Sequence, residues 1–208
     1  MFELPKSALV NKFIPKNTFY KKFNLSSAIK EEFVDLIEKI IWLYKISEDT
    51  VGISKNKSIE EIQIFEISLK VKKVPEKSLK VISKSIPYPI LFKIKYNDEF
   101  CYAISLYNDN QEYEKLYINE WNKDINIDFV ALDLKKLYSK MIKEFLVEFS
   151  TEESIESTIN KNELYSKLNN DIIKLSNQLK KEKQFNRKIS INKELNKKKQ
   201  ELEELKNG

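Results

Sequence analysis

A cluster of cations near position 185 is the part of this sequence whose side-chain types best suit a ligand. Between positions 180 and 188, lysine or arginine fills five of nine places, around one phenylalanine and two side-chain amides. Ammonium and guanidinium groups attract phosphates, and aromatic and amide groups can contact bases. The candidate nucleic-acid contacts are therefore Lys180, Lys181, Lys183, Phe185, Arg187 and Lys188.

The composition of this cluster also predicts a binding mode. Lysine is a strongly hydrated point charge that suits phosphate, whereas bidentate reading of guanine favours arginine, and Arg187 is the one arginine in the chain. We therefore expect contact that does not depend on nucleic-acid sequence. A solvated, lysine-rich pair of helices whose end is closed by Phe185 is the alternative interpretation, and the residues weigh about evenly between the two.

Three residue counts exclude much other chemistry. The chain has two glycines, no histidine and one cysteine. A phosphate-binding loop or dinucleotide fingerprint needs glycines close together, and a Ser-His or Cys-His nucleophile pair needs histidine. Cys101 alone makes neither an intramolecular disulfide nor a thiolate zinc cluster. We accordingly expect no bound cofactor.

The serine and lysine spacing of acyl-transfer enzymes also occurs in the chain. The three Ser-x-x-Lys matches are Ser27/Lys30, Ser54/Lys57 and Ser190/Lys193. A chain so rich in serine and lysine produces about this number of matches by chance, so we assign no catalytic role to any of them.

Carboxylates offer the remaining route to catalysis. Glu31, Asp35 and Glu38 are oxygen ligands of the kind that Mg²⁺ binds, but their helical spacing opposite an apolar stripe indicates a solvated face. A restriction-type nuclease core needs Glu-x-Lys on one strand, and Glu66 and Lys70 stand four apart where two are needed. We predict neither a metal site nor a catalytic residue, and a divergent nuclease that uses Asp and Glu alone is kept as an alternative.

Aromatic residues are concentrated between positions 102 and 121. They are Tyr102, Tyr107, Tyr113, Tyr117 and Trp121. Such a set is typical of a platform on which single-stranded nucleic acid stacks, but aromatics are equally common in ordinary strands. We favour packing in the core or at a sheet edge.

Apolar periodicity predicts that the first elements of the chain are helices. Short helices are expected after Pro5 and after Pro15, because proline is tolerated in a first helical turn. A longer helix is expected from Ser26 or Ser27 to Tyr44, where apolar residues recur at intervals of three and four.

The middle of the sequence has strand patterns. Residues 60–72 predict a central strand, since apolar and β-branched residues occupy both faces. The runs on either side of Asn97 and Asp98 predict a hairpin over residues 90–107, and residues 115–121 predict a third strand.

Helical patterns lie between and after these strands. One helix is predicted from Pro75 to Ser85, and another from a cap at Asp133 through Phe149. The fold class is therefore α+β, with a small antiparallel β-meander packed with helices over residues 1–150.

Beyond a polar junction at residues 151–160, both the charge and the periodicity change. Residues 161–208 carry 13 basic and 7 acidic side chains, whereas residues 1–160 carry 24 and 25. Leucine and isoleucine recur at heptad-like intervals in two runs, with Lys198 in one core position and a break of about ten residues between the runs. This predicts an antiparallel coiled-coil hairpin, for which a continuous, dimerising coil is the alternative.

Several segments resemble a bacterial family that is catalogued as a domain of unknown function. They are LPKSALVNKFIPKNTFYKKFNLSS, EEIQIFEISLK, IPYPILFKIKYN and KEKQFNRKISINKEL. The resemblance covers almost the whole chain, and members of that family are typically encoded beside helicases and DNA methyltransferases in restriction-like phage-defence clusters. It implies a role in a defence assembly and no catalytic motif.

From the charge pattern and the resemblance together we expect a non-catalytic accessory subunit of such an anti-phage system. Its body is expected to contact a helicase or methyltransferase partner, and its basic arm to bind nucleic acid without sequence specificity. The alternatives are the metal-dependent nuclease and a coiled-coil homodimerisation module. We also expect a cytoplasmic location, because neither a signal peptide nor a transmembrane run is visible.

Overall fold

A computed structural model of the chain describes residues 2–108, 112–146 and 155–207. The chain divides into two compact units, Met1–Phe145 and Leu146–Gly208, which we call the body and the arm. In the described residues the fold is α+β, with a six-stranded, mostly antiparallel sheet and seven α-helices, the last two of which form the arm.

The strands of the body form one sheet in the order in which they occur along the chain. They are β1 (Leu9–Phe13), β2 (Ile37–Ser47), β3 (Glu61–Leu69), β4 (Ile90–Tyr96), β5 (Glu99–Tyr107) and β6 (Tyr113–Ile118). Neighbouring strands are antiparallel except β3 and β4, which run parallel. A parallel pair needs a crossover connection, so the antiparallel order of the predicted meander is broken once, between β3 and β4.

Helices lie before and between the first four strands and after the last strand, whereas β4, β5 and β6 follow one another directly in the described part of the chain. In the body a 3₁₀ turn (Lys6–Ala8) is followed by α1 (Asn17–Lys22), α2 (Ser27–Asp35), α3 (Glu48–Val51), α4 (Glu76–Ser85) and α5 (Leu134–Lys143). The arm consists of α6 (Ile155–Lys181) and α7 (Phe185–Asn207). Helix α4 is the crossover between β3 and β4, and it occupies the range predicted for it.

The start of α5 follows directly from its cap. The Asp133 side chain accepts a hydrogen bond from the Lys136 amide at 2.8 Å, as the sequence predicts. The helix ends at Lys143, before the predicted end at Phe149, which lies outside the described residues. Residues 151–154 of the predicted junction also lie outside them, and residues 155–160 belong to α6.

The single helix predicted up to Tyr44 is wrong beyond α2, because residues 37–47 form strand β2. A β-bulge explains the misleading spacing. Ile37 pairs with Leu69 and Lys39 with Ser68, so β2 carries one extra residue there. Ile37 and Ile40 are therefore both fully buried although they stand three apart, as they would on a helix.

The helix predicted after Pro5 is also mostly wrong. Only Lys6–Ala8 make a 3₁₀ turn, and the chain then pairs with β2 as the edge strand β1. An isolated helix of fewer than about 12 residues is marginally stable, so the backbone hydrogen bonds that the sheet offers decide the conformation. Asn11, with a φ of 47°, lies where the register of β1 shifts.

The main core of the body lies on one face of the sheet. Phe65 of β3 and Phe92 of β4 are paired neighbours in one large buried cluster, which helices α2 and α4 cover with Phe33 and Ile82. The next residues along the strands point to the opposite face, where α5 buries its apolar side. Strand β3 is consequently covered on both faces, which confirms its predicted central position.

The arm has a much shorter break between its helices than expected. Only residues 182–184 separate α6 from α7, so the predicted break of about ten residues is wrong. The two helices contact each other, and Leu168 and Leu195 are their most buried leucines. Across residues 2–108, 112–146 and 155–207, we find no helix that combines the length and the apolar character needed to span a membrane.

Candidate nucleic-acid interface

The six predicted contact residues lie together at the turn of the arm, which we call the tip (residues 180–188). Two of them end α6, one lies in the link, and three begin α7. All six are exposed, and they are Lys180, Lys181, Lys183, Phe185, Arg187 and Lys188. The structure thus brings together in space what the sequence placed within nine positions.

The tip contains an open groove, and three of the six residues line it. Lys181, Lys183 and Arg187 line the groove, which is bordered by Gln178 and Ile191. Lys180, Phe185 and Lys188 lie outside its lining. Glu182 and Gln184 of the link also line the groove. Three cations from α6, the link and α7 therefore share one concave surface with a single carboxylate, and cations grouped in this way attract phosphate.

Glu182 makes the short link possible. Its carboxylate accepts hydrogen bonds from the backbone amides of Lys183 and Gln184, at 2.8 and 2.9 Å. The hydrogen bonds from Gln184 and Lys183 lower the pKa of this carboxyl, and the nearby charges of Arg187 and Lys188 lower it further. The tip is thus held by an ionised carboxylate, which offsets one of its five positive charges.

Sequence analysis missed the other residues that line the groove, which are Gln178, Glu182, Gln184 and Ile191. Gln178 stands three residues before Lys181, the last residue of α6, and residues three apart on a helix are neighbours. This spacing is visible in the sequence once α6 is known to continue to Lys181. The assumption of a long break concealed it.

Phe185 begins α7 with 75% of its side chain exposed to solvent. The ring therefore gains little from packing at the end of the arm, and the solvated, lysine-rich pair of helices stays the alternative interpretation. An apolar ring that is exposed among cations is available to a ligand.

The aromatic residues of the body are used differently. Tyr102 is only 5% exposed and donates a hydrogen bond to Asp124 at 3.2 Å, and burial together with this carboxylate raises its pKa to about 12. The hydroxyl of Tyr107 donates to the Ser83 carbonyl at 2.6 Å. This confirms packing for these two tyrosines and contradicts an open stacking platform built on them.

The other aromatics of this set are also engaged within the body. The ring of Tyr113 meets that of Tyr107 edge to face, with 6.1 Å between centroids. The ammonium group of Lys115 lies 4.9 Å from the Tyr117 ring centroid. Trp121 packs against the main core.

The carboxylates considered for Mg²⁺ do not share one helix face. Glu31 and Asp35 are exposed on α2, whereas Glu38 lies on β2, at the bulge between Ile37 and Lys39. In the part of the chain that the structure describes, no three acidic or cysteine side chains are grouped as a metal site would require.

Glu66 and Lys70, the pair considered for a nuclease, contact different parts of the body. Glu66 faces Lys95 at 4.0 Å across the parallel strands. Lys70 instead donates to the Val34 carbonyl at 2.8 Å, at the end of α2. Each side chain therefore has a structural contact of its own.

The single thiol lies inside the body. Cys101 is fully buried, and burial raises its pKa to about 11. Because the thiolate is the reactive form, this side chain behaves as a small apolar group.

Comparison with known families gives a match over residues 2–202, described as a domain of unknown function, DUF4391. The chain belongs to this family. The matched span includes the described body and most of the arm, so the tip is a part of DUF4391 and not an appendage to it. No curated protein and no solved structure matches the chain.

Proposed function

We propose that this DUF4391 chain is a non-catalytic accessory subunit that holds nucleic acid without sequence specificity at the tip of its arm. The observation that carries the proposal is the convergence of Lys181, Lys183 and Arg187 on one open groove. Lys180 and Lys188, which lie outside the lining, add exposed charge to the tip. Lysine ammonium groups neutralise phosphates without reading bases, which accounts for the proposed lack of sequence specificity.

In this proposal the arm is an antiparallel coiled-coil hairpin. Leu168 of α6 and Leu195 of α7 are only 4% and 5% exposed within one chain. The Lys206 ammonium near the end of α7 lies 5.7 Å from the ring of Tyr165 in the first half of α6. These contacts favour two helices that fold back on each other over a coil that pairs with a second chain.

A charged position in the seam between the helices supports the same arrangement. Lys198 is partly buried and pairs with Glu201 at 2.7 Å, and this hydrogen bond raises the pKa of its ammonium group. The charge of Asp171 on α6 acts in the same direction. Polar residues at core positions of coiled coils select one register and one partner at some cost in stability.

The partner that we propose is a helicase or a DNA methyltransferase of a restriction-like, anti-phage assembly in the cytoplasm. This part rests on the family resemblance, together with the sequence-independent mode of the tip. A subunit that holds any nucleic acid adds affinity to a partner that supplies specificity or chemistry, because the two contacts are linked in one assembly.

The test of the tip is a pair of charge-reversal variants with equal change in net charge. Lys181→Glu with Lys183→Glu alters the groove, and Lys167→Glu with Lys199→Glu alters exposed positions elsewhere in the arm. Binding to a blunt DNA duplex is measured by fluorescence anisotropy over a series of salt concentrations.

We expect the groove variant to lose affinity at least about ten-fold at low salt, and to lower the slope of log K against log salt by about 0.9 for each phosphate contact removed. The control variant keeps that slope. Equal losses in the two variants would mean that binding reflects the total charge of the arm, and an unaffected groove variant would place the site elsewhere.

Purification of the tagged, full-length chain from its own host tests the proposed partner. Recovery of a helicase or a methyltransferase is the expected result, and recovery of neither would contradict this part of the proposal. Cleavage of plasmid DNA that requires Mg²⁺ or Mn²⁺, and that disappears when one carboxylate is changed, would overturn the non-catalytic role.

A further inference from the structure

Phe185 is the most exposed aromatic side chain that the structure records among large apolar residues, at 75%. It is the first residue of α7 and follows the three-residue link, so its ring stands where the chain turns. In sequence it lies between two amides, Gln184 and Asn186, with Lys183 and Arg187 immediately outside them. The ring is therefore exposed in a segment of the chain rich in cations and side-chain amides.

Neither helix formation nor packing accounts for a phenylalanine here. Aromatic residues have lower helix propensity than lysine or glutamine, and an exposed ring gains nothing from burial. The carboxylate of Glu182 already caps the link through the amides of Lys183 and Gln184. The local structure therefore forms without the ring.

We propose that Phe185 stacks on an unpaired nucleobase, and that the tip thereby prefers single-stranded nucleic acid. The inference rests on the proposed function, since the cations must first hold the phosphates. An unpaired base has a free face, whereas the bases inside a duplex are already stacked on one another. An aromatic ring next to phosphate-binding cations is the combination by which single strands are held without sequence preference.

The spacing of the groups suits this ligand. Lys183 and Arg187 line the groove, whereas Phe185 lies outside its lining, at the first position of α7. A strand whose phosphate is held in the groove therefore reaches the exposed ring with a neighbouring nucleotide that passes over the start of α7. Gln184 and Asn186 offer donors and acceptors to any base edge, so no single base is selected.

The experiment compares the full-length protein with substitutions at Phe185, using labelled oligo(dT) and a blunt duplex of equal length. Phe185→Ala removes the ring, Phe185→Leu keeps an apolar side chain without it, and Phe185→Tyr restores it. Ile189→Ala is the matched control, because Ile189 is 54% exposed on the same helix, about one turn further along. Circular dichroism checks that the helices are intact.

We expect Phe185→Ala and Phe185→Leu to weaken binding to oligo(dT) by about 5- to 100-fold, the range seen when a base–aromatic stack is lost, and to weaken duplex binding by a smaller factor. Phe185→Tyr should bind oligo(dT) like the parent chain, and Ile189→Ala should leave both affinities unchanged. A parallel series with oligo(U) shows whether the unpaired strand is DNA or RNA.

Parent-like binding of oligo(dT) by Phe185→Leu would overturn the stacking role, and so would equal losses on the two substrates. Neither result bears on the phosphate contacts, which the two charge-reversal variants test separately. Failure of the stacking role is therefore distinguishable from failure of the proposed function. If the parent chain binds neither substrate, both the stacking role and the proposed function are wrong.

Discussion

The body and the arm contain the same kinds of side chain but use them in opposite ways. In the body, the hydroxyl of Tyr138 donates to the Ser105 carbonyl at 2.6 Å, and Glu32 of α2 accepts from Ser78 of α4. In the arm, Phe185 and the lysines around it are exposed. These polar and aromatic groups of the body make contacts within the fold, whereas those of the tip are exposed and available to a ligand.

This difference shows why composition alone is a poor guide to a binding site. The body has all five aromatic residues that the sequence offered as a stacking platform, yet Tyr102 and Tyr107 hold its own elements together. The arm has few aromatics, and one of them is exposed at the turn. What distinguishes the two regions is whether neighbouring elements cover the side chain.

The largest effect is expected from removing a side chain that the body covers completely. Phe33→Ala should lower the free energy of unfolding of the body by about 3–5 kcal/mol, because a fully buried phenylalanine leaves a cavity. Urea unfolding followed by tryptophan fluorescence measures this, since Trp42 and Trp121 both belong to the body.

The neighbouring residue supplies the control for this prediction. Val34 is 51% exposed on the same helix, so Val34→Ala should change the stability by no more than about 0.5 kcal/mol. Similar effects of the two substitutions would break the contrast between covered and uncovered positions in the body.

A smaller loss is expected in the arm, where two helices offer less cover. Leu168→Ala should destabilise the arm by about 2–5 kcal/mol, toward the lower end because only two helices surround the site and they can close around the cavity. Leu164 is 47% exposed on the same helix, and Leu164→Ala should have little effect.

Two probes separate the units in this experiment. Far-ultraviolet circular dichroism should show the loss of helix in Leu168→Ala, while the tryptophan transition of the body stays where it was. A tryptophan transition that shifts equally would mean that body and arm unfold together, and the comparison would then describe one cooperative unit.

The smallest effect concerns a carboxylate that the body uses for structure. Glu32 accepts from the Ser78 amide at 2.8 Å and from its hydroxyl at 3.0 Å, and Ser78 is fully buried. Glu32→Ala should therefore cost about 1–3 kcal/mol, because it leaves buried donors without this acceptor. Glu31→Ala, at an exposed position next to it, should cost no more than about 0.5 kcal/mol in the same urea titration.

The elements that the sequence predicted well are those whose signals are local. The cap at Asp133 starts α5, and Asn97 and Asp98 turn the hairpin between β4 and β5. In each case a few adjacent residues satisfy the backbone by themselves. The six candidate residues of the tip were found for the same reason, since they stand within nine positions.

The failures lie where distant parts of the chain decide. Residues 37–44 have a helical spacing, yet β3 pairs with them and a bulge places Ile37 and Ile40 on the same side. The link of the arm was expected to be long, because the residues around it lack an apolar period. Helix α7 begins at Phe185 all the same, held by contact with α6 and by the carboxylate of Glu182.

The sequence by itself determined the charge separation between a near-neutral first part and a strongly basic end, the α+β class, and the identity of the tip residues. Net charge and local periodicity depend on nearby residues alone, so no contact is needed to infer them. Tertiary structure decided which aromatic rings are covered and which cations converge on the groove. Burial depends on which elements pack together, and that is set by hydrogen bonds and contacts between residues far apart in the chain.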